Sequence, residues 1–101
     1  MPGNLTIVRV LIVQVRVQSL FVDKKLEFRS AFGRLVRRRR TEMGMTQESL
    51  ALDNGLDRTY ISGIERGRRN PTLTVIAILA EGLKTTASEL LQGLEKEAKR
   101  G

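Results

Sequence analysis

The 101-residue sequence contains no cysteine and no histidine. Their absence excludes thiol nucleophiles, disulfides and thiolate metal sites, and it removes the most common general base. Carboxylates remain, but no Asp or Glu stands in a setting that marks a catalytic pair, so the chain reads as a non-enzyme with no metal or other cofactor. A chain without cysteine is compatible with a reducing cytoplasm, which is the expected location. Also missing is any unbroken apolar run long enough to cross a membrane. The stretch from Leu5 to Val22 is rich in Val, Ile and Leu, but Arg9, Gln14, Arg16, Gln18 and Ser19 interrupt it. A spanning helix needs ~20 mainly apolar residues, and a signal peptide carries its positive charge ahead of the apolar stretch. Neither pattern fits, and no membrane partner is expected.

The length suits one compact domain. A hydrophobic fraction of 41% beside 29% charged residues is ordinary for a folded protein. Lys and Arg number 18 against 11 Asp and Glu, a net charge of +7, and the excess is local. Residues 1–27 carry four basic and two acidic side chains, residues 28–70 carry ten and five, and residues 71–101 carry four and four. Five of the seven excess charges therefore lie in the middle of the chain. Such a concentration suits an anionic polymer or a membrane surface, although it is equally the mark of a merely solvated face.

Two regions follow from the periodicity. In residues 1–27, Val13, Val15 and Val17 alternate with Gln14, Arg16 and Gln18, as in a half-buried strand, while Val8, Val10 and Ile12 occupy the opposite parity. A bulge or two short strands would produce the slip, and an exposed strand of this kind would pair with a second copy. A loosely packed extension explains the segment equally well. From Phe28 onward the period is helical: Phe28, Ala31, Phe32, Leu35 and Val36 lie on one face.

The remainder of 28–101 reads as further helices, giving an all-α, five-helix domain. The first should run to about Met43, with Gly44 in the left-handed position after it. Thr46 can cap the second helix, whose Leu50 and Ala51 turn inward and which Asn54-Gly55 ends. Asp57 can cap the third, with Ile61 and Ile64 on its buried side and Gly67 at its end. Thr72 can cap a fourth, carrying Leu73, Ile76, Ala77, Leu79 and Ala80. Thr86 with Glu89 forms a capping-box pattern for a fifth, containing Leu90, Leu91 and Leu94. Two short helices joined by a tight glycine turn make a helix-turn-helix. Counting from Gln47, Ala51 is fifth, Gly55 ninth, Ile61 fifteenth and Ile64 eighteenth. A small residue allows close helix approach, glycine permits the turn, and the isoleucines pin the third helix.

The residues Thr46-Gln47-Glu48-Ser49-Leu50-Ala51, then Leu56 through Gly67, then Arg69-Asn70-Pro71 resemble the Cro/C1 or Xre-type repressor family over roughly Phe28 to Leu91. The block at 56–71 is especially similar to controller proteins of restriction-modification systems. The resemblance implies a lambda-repressor-like domain that binds double-stranded DNA and regulates its own operon, with RNA polymerase as a further candidate partner. An antitoxin or prophage repressor, or a protein-interaction module on the same fold, are the competing readings. Neighbouring genes would separate the restriction-modification controller from the antitoxin or prophage repressor.

In a helix-turn-helix the second of the two helices enters the major groove and its N-terminal residues reach base edges. Arg58, Thr59 and Ser62 are therefore the expected base readers, Arg58 foremost because a guanidinium can bond guanine O6 and N7 together. A cation at a helix N-terminus opposes the helix dipole unless an anion waits opposite. Gly63 would let the groove edge approach. Thr46 and Gln47, at the start of the second helix, suit phosphate binding. The resemblance supports both and implies phosphate roles for Arg40, Tyr60, Arg69 and Asn70, while Tyr60 could instead pack its ring and expose only its hydroxyl. Glu65 reads as an internal partner of an arginine. The Arg37–Arg40 run spans more than one helical turn, so its four side chains cannot share a surface; Arg40 nears the second helix, and Arg39 should snorkel or salt-bridge. One short recognition helix reads few bases, so a homodimer is expected, with Ile78, Leu83, Leu90, Leu91 and Leu94 as its interface.

Overall fold

The computed structural model describes Lys24 and residues 27–100. The strand arm expected within residues 1–27 lies outside the described residues except at Lys24 and Glu27, which are helical. Among those described, every regular element is a helix. We number them α1 (27–42), α2 (Gln47–Asp53), α3 (Arg58–Glu65), α4 (Leu73–Gly82), α5 (Ala87–Leu91) and α6 (Leu94–Arg100). Lys24 and Glu27 are already helical, so the expected boundary before Phe28 does not coincide with a helix start.

Helix starts follow the short polar residues anticipated from the sequence. Thr46, Asp57, Thr72 and Thr86 each accept a backbone N–H from the first turn of α2, α3, α4 and α5. These bonds satisfy donors that a helix start would otherwise leave free. At Thr46 the box is closed by Ser49, whose Oγ accepts from the Thr46 amide at 3.1 Å. At Thr86 only half the expected box forms. The Glu89 amide donates to Thr86 Oγ1, but its carboxylate accepts instead from Thr85 Oγ1 at 2.7 Å.

The terminators also fall where expected. Gly44, Gly55 and Gly67 all have positive φ, and at Gly55 (φ +65°) this lets the chain turn directly from α2 toward Asp57. The single C-terminal helix expected around Leu90, Leu91 and Leu94 is in fact two. Gln92 is extended (φ −62°, ψ 130°) and Gly93 has φ +83°, so α6 leaves at a new angle. A leucine spacing that fits one helix cannot reveal this break, but the glycine inside it could.

Helices of seven and eight residues have no stability alone, so α2 and α3 persist because a shared core holds them. Phe32, Val36, Leu50, Ala51, Ile61, Ile64, Leu79, Ala80, Leu83 and Leu90 form that core. Leu50, Ile61, Ile64, Leu79, Leu83 and Val36 have no exposed surface. Gly33 allows α1 to cross the end of α3 at van der Waals range, for a Cβ there would lie 2.6 Å from the Glu65 carbonyl oxygen. Across the domain, Glu97 on α6 is buried and receives Arg34 Nε at 3.1 Å and an Arg38 terminal nitrogen at 3.0 Å, tying α6 to α1. These two guanidinium contacts lower the Glu97 carboxyl below the usual carboxylate range.

Candidate nucleic-acid interface

The four arginines at 37–40 go four ways. Arg37 is exposed, and Arg38 is held by Glu97. Arg39 makes no salt bridge among the described residues: half-buried, it donates from its Nε and a terminal nitrogen, each at 3.1 Å, to the carbonyls of Leu83 and Lys84, just past the end of α4. Arg40 points inward with a side chain only 11% exposed. Its Nε and one terminal nitrogen grip the Glu65 carboxylate at 2.6 and 2.8 Å, and the other terminal nitrogen donates to the Met45 carbonyl at 2.8 Å. The Glu65 carboxylate holds this guanidinium more firmly charged than usual. The phosphate role expected for Arg40 is thus replaced by a structural one, because a bidentate carboxylate inside the domain takes the guanidinium first. Glu65 is the internal arginine partner that the sequence suggests.

Gln47 joins the same cluster. Its side-chain amide donates to Glu65 Oε1 at 3.1 Å, so one buried carboxylate collects α1, the start of α2 and the end of α3. Whatever Gln47 contacts outside, it does so from a fixed position. Thr46 is exposed, with its Oγ1 accepting the Ser49 amide.

On α3, Ile61, Ile64 and Glu65 face inward. Arg58 and Thr59 are exposed and Ser62 is partly exposed, so the three expected base readers share the outer side of one helix. Asp57 Oδ1 accepts the Thr59 amide at 2.7 Å and fixes where that helix begins. Tyr60 is half-buried and packs against the core. Gly63 is not open to a groove edge; it is buried, and a Cβ on it would meet Arg69 Cγ at 2.7 Å. Arg69 and Asn70 are both exposed after α3.

The charge left over defines the surface. Arg34, Arg38 and Arg40 are neutralised by carboxylates. In 58–70, Arg58, Arg66, Arg68 and Arg69 are all exposed, while the only acid in that span, Glu65, is buried and paired. Four exposed guanidiniums, none in an ion pair among the described residues, beside a helix whose outer side is small and polar form a surface suited to an anionic polymer. The sequence did not separate these from the fastening arginines, since the distinction lies in contacts 25 to 63 residues apart along the chain.

Of the expected interface residues, Leu83 is fully buried and Leu90 is 6% exposed, so both belong to the subunit's own core. Ile78, Leu91 and Leu94 remain partly exposed. Leu73, in the first turn of α4, is 76% exposed.

Comparison with known proteins agrees with this geometry. A helix-turn-helix family profile matches residues 36–90, from α1 to α5. The control protein C.MunI of a Mycoplasma species is 40% identical over 75 residues, covering 74% of this chain and 97% of that relative. C.SmaI of Serratia marcescens is 47% identical over 64 residues, 61% of this chain and 76% of the relative. Among solved structures, the restriction-modification controller C.Esp1396I, crystallised as a tetramer on its natural 35-base-pair operator, superposes with a TM-score of 0.64 at 40% identity, covering 71% of this chain and 95% of that one.

Proposed function

Because this chain belongs to the Cro/C1-type helix-turn-helix family, we propose that it is a sequence-specific, DNA-binding regulator of transcription that controls a restriction-modification operon, including its own expression. The observation that carries this reading is the outer side of α3, where Arg58, Thr59 and Ser62 stand together at and just after the helix start, flanked by exposed arginines. Arg58 takes guanine through O6 and N7, Thr59 meets a thymine methyl or donates its hydroxyl, and Ser62 adds a short polar contact one turn on. Thr46 and Gln47 at the start of α2, with Tyr60, Arg69 and Asn70, hold phosphates and set the register. Arg40 serves this surface indirectly, through Glu65.

A second copy completes the reader. Ile78 on α4, with Leu91 and Leu94, supplies an apolar surface for it. Leu91 and Leu94 also line, with Phe28, Phe32 and Ile76, a recess of about 210 Å³. Arg29, in the wall of that recess, has a buried Nε with no hydrogen-bond acceptor among the described residues. A partner filling the recess would meet both needs. Acting on chromosomal DNA, such a dimer works in the cytoplasm, and where it activates, RNA polymerase is its further partner. A nearby endonuclease and methyltransferase gene would support the operon assignment.

Footprinting on the DNA upstream of its own gene tests the reading. The account expects two protected patches with centres ~34 Å apart, one helical turn, and a dimer in sedimentation equilibrium. A monomer at high micromolar concentration that protects no upstream site would overturn it.

A further inference from the structure

Glycine in the middle of a helix is disfavoured against alanine, because it costs more backbone entropy to order. Gly63 occupies such a place in α3, and its φ is not among the positive values that would explain it. Its reason lies in what covers it. At 100° per residue Gly63 falls on the side of α3 that carries Thr59 and Arg66, one turn before and after it, and opposite Ile61 and Glu65. Thr59 and Arg66 are exposed there, yet Gly63 is buried. A Cβ on it would stand 2.7 Å from Arg69 Cγ, 3.7 Å from Cδ and 3.6 Å from Nε, so the covering group is the stem of Arg69. The backbone returns to the same point: the Arg68 and Arg69 amides both donate to the Gly63 carbonyl, at 2.8 and 3.3 Å.

We propose that Gly63 is a positioning residue for DNA binding, its missing side chain forming the slot that lays the Arg69 stem along the outer side of α3 and presents the guanidinium beside the base readers. The proposal rests on the reading of α3 as the recognition helix. Arg69 is exposed, and its guanidinium enters no ion pair among the described residues. An ordered stem with a free head is what a phosphate ligand needs, since a long side chain already held in place loses less freedom on binding. Any side chain at 63 must push the stem aside. Because that stem is flexible, the fold can tolerate the push while the guanidinium loses its place.

The test is a double-mutant cycle in the full chain, with Gly63→Ala, Arg69→Ala and the double variant measured on the upstream DNA and on a scrambled duplex across a salt series. Gly63→Ala should melt no lower than wild type, since alanine is the better helix former. It should nonetheless bind both duplexes ~3- to 10-fold more weakly, keep their affinity ratio, and show a salt slope smaller by up to ~1, as for a lost phosphate contact. On the Arg69→Ala background it should cost no further affinity. Wild-type affinity for Gly63→Ala, or an equal loss with and without Arg69, overturns the proposal. Should Gly63→Ala fail to fold, the double variant must still fold because truncation empties the slot, and its failure would overturn the proposal too. A wild-type protein that does not prefer the upstream DNA contradicts the functional reading instead, and is distinguished by the wild-type arm alone.

Discussion

At the scale of single residues, the arginines divide by whether a carboxylate or carbonyl inside the domain reaches them. Arg40 is the clearest case. With its side chain 11% exposed and Glu65 at 2%, the pair sits where neither ion would be stable alone. Glu65→Ala strands a buried guanidinium and leaves the Met45 carbonyl as its remaining partner. That loss should cost about 3–5 kcal/mol, a large share of the roughly 5–15 kcal/mol that holds a domain folded. A urea midpoint within experimental error of wild type would show that Arg40 escapes to solvent when released. Sequence could name Glu65 as an arginine's partner, but not choose the arginine: Arg37 to Arg40 are identical side chains, and the choice is made by where α1 crosses α3 at Gly33. The signal for that crossing is a glycine inside a helical pattern, which marks a close approach without naming what approaches.

At the scale of elements, what was local was legible. Thr46, Asp57, Thr72 and Thr86 mark helix starts because a side-chain oxygen two or three residues before a free amide is a short-range matter. The C-terminal end was less so, for the leucine spacing ran across Gly93. The structure places α6 against α1 through Glu97, Arg34 and Arg38, and this docking should depend on pH. The Glu97 carboxyl is lowered in the fold, so the unfolded chain binds its proton more readily. Its contribution is therefore fully present above the ordinary carboxylate value of 4.5 and is lost as pH falls through the folded value. Because Arg34 and Arg38 are 38% and 47% exposed, solvent and salt screen the pair and the effect should be modest. Comparing urea midpoints at pH 7 and below pH 4.5, wild type should lose more stability than Glu97→Gln, which has no such proton to take up. Parallel losses in the two proteins would mean that other carboxylates carry the acid sensitivity.

At the scale of the whole molecule, the division of labour is between a core that fixes two short helices and a surface that the core leaves charged. The fold class and the helix-turn-helix could be read from periodicity, caps and the register of Ala51, Gly55, Ile61 and Ile64. The subunit interface could not be read as well, because apolar residues in excess of a small core look alike whether they turn inward, as Leu83 and Leu90 do, or remain at the surface, as Ile78 does. Burial is a property of the assembled helices. The central claim is that α3 reads sequence and that Arg58 is its principal reader. It is tested most directly by a salt titration of wild type and Arg58→Ala on the upstream DNA and a scrambled duplex. The account predicts that wild type prefers the upstream DNA by at least ~10³. Arg58→Ala should shrink that preference by about 1–3 kcal/mol, with most of the salt dependence intact. A wild type without preference, or an Arg58→Ala variant that keeps it in full, would contradict the account.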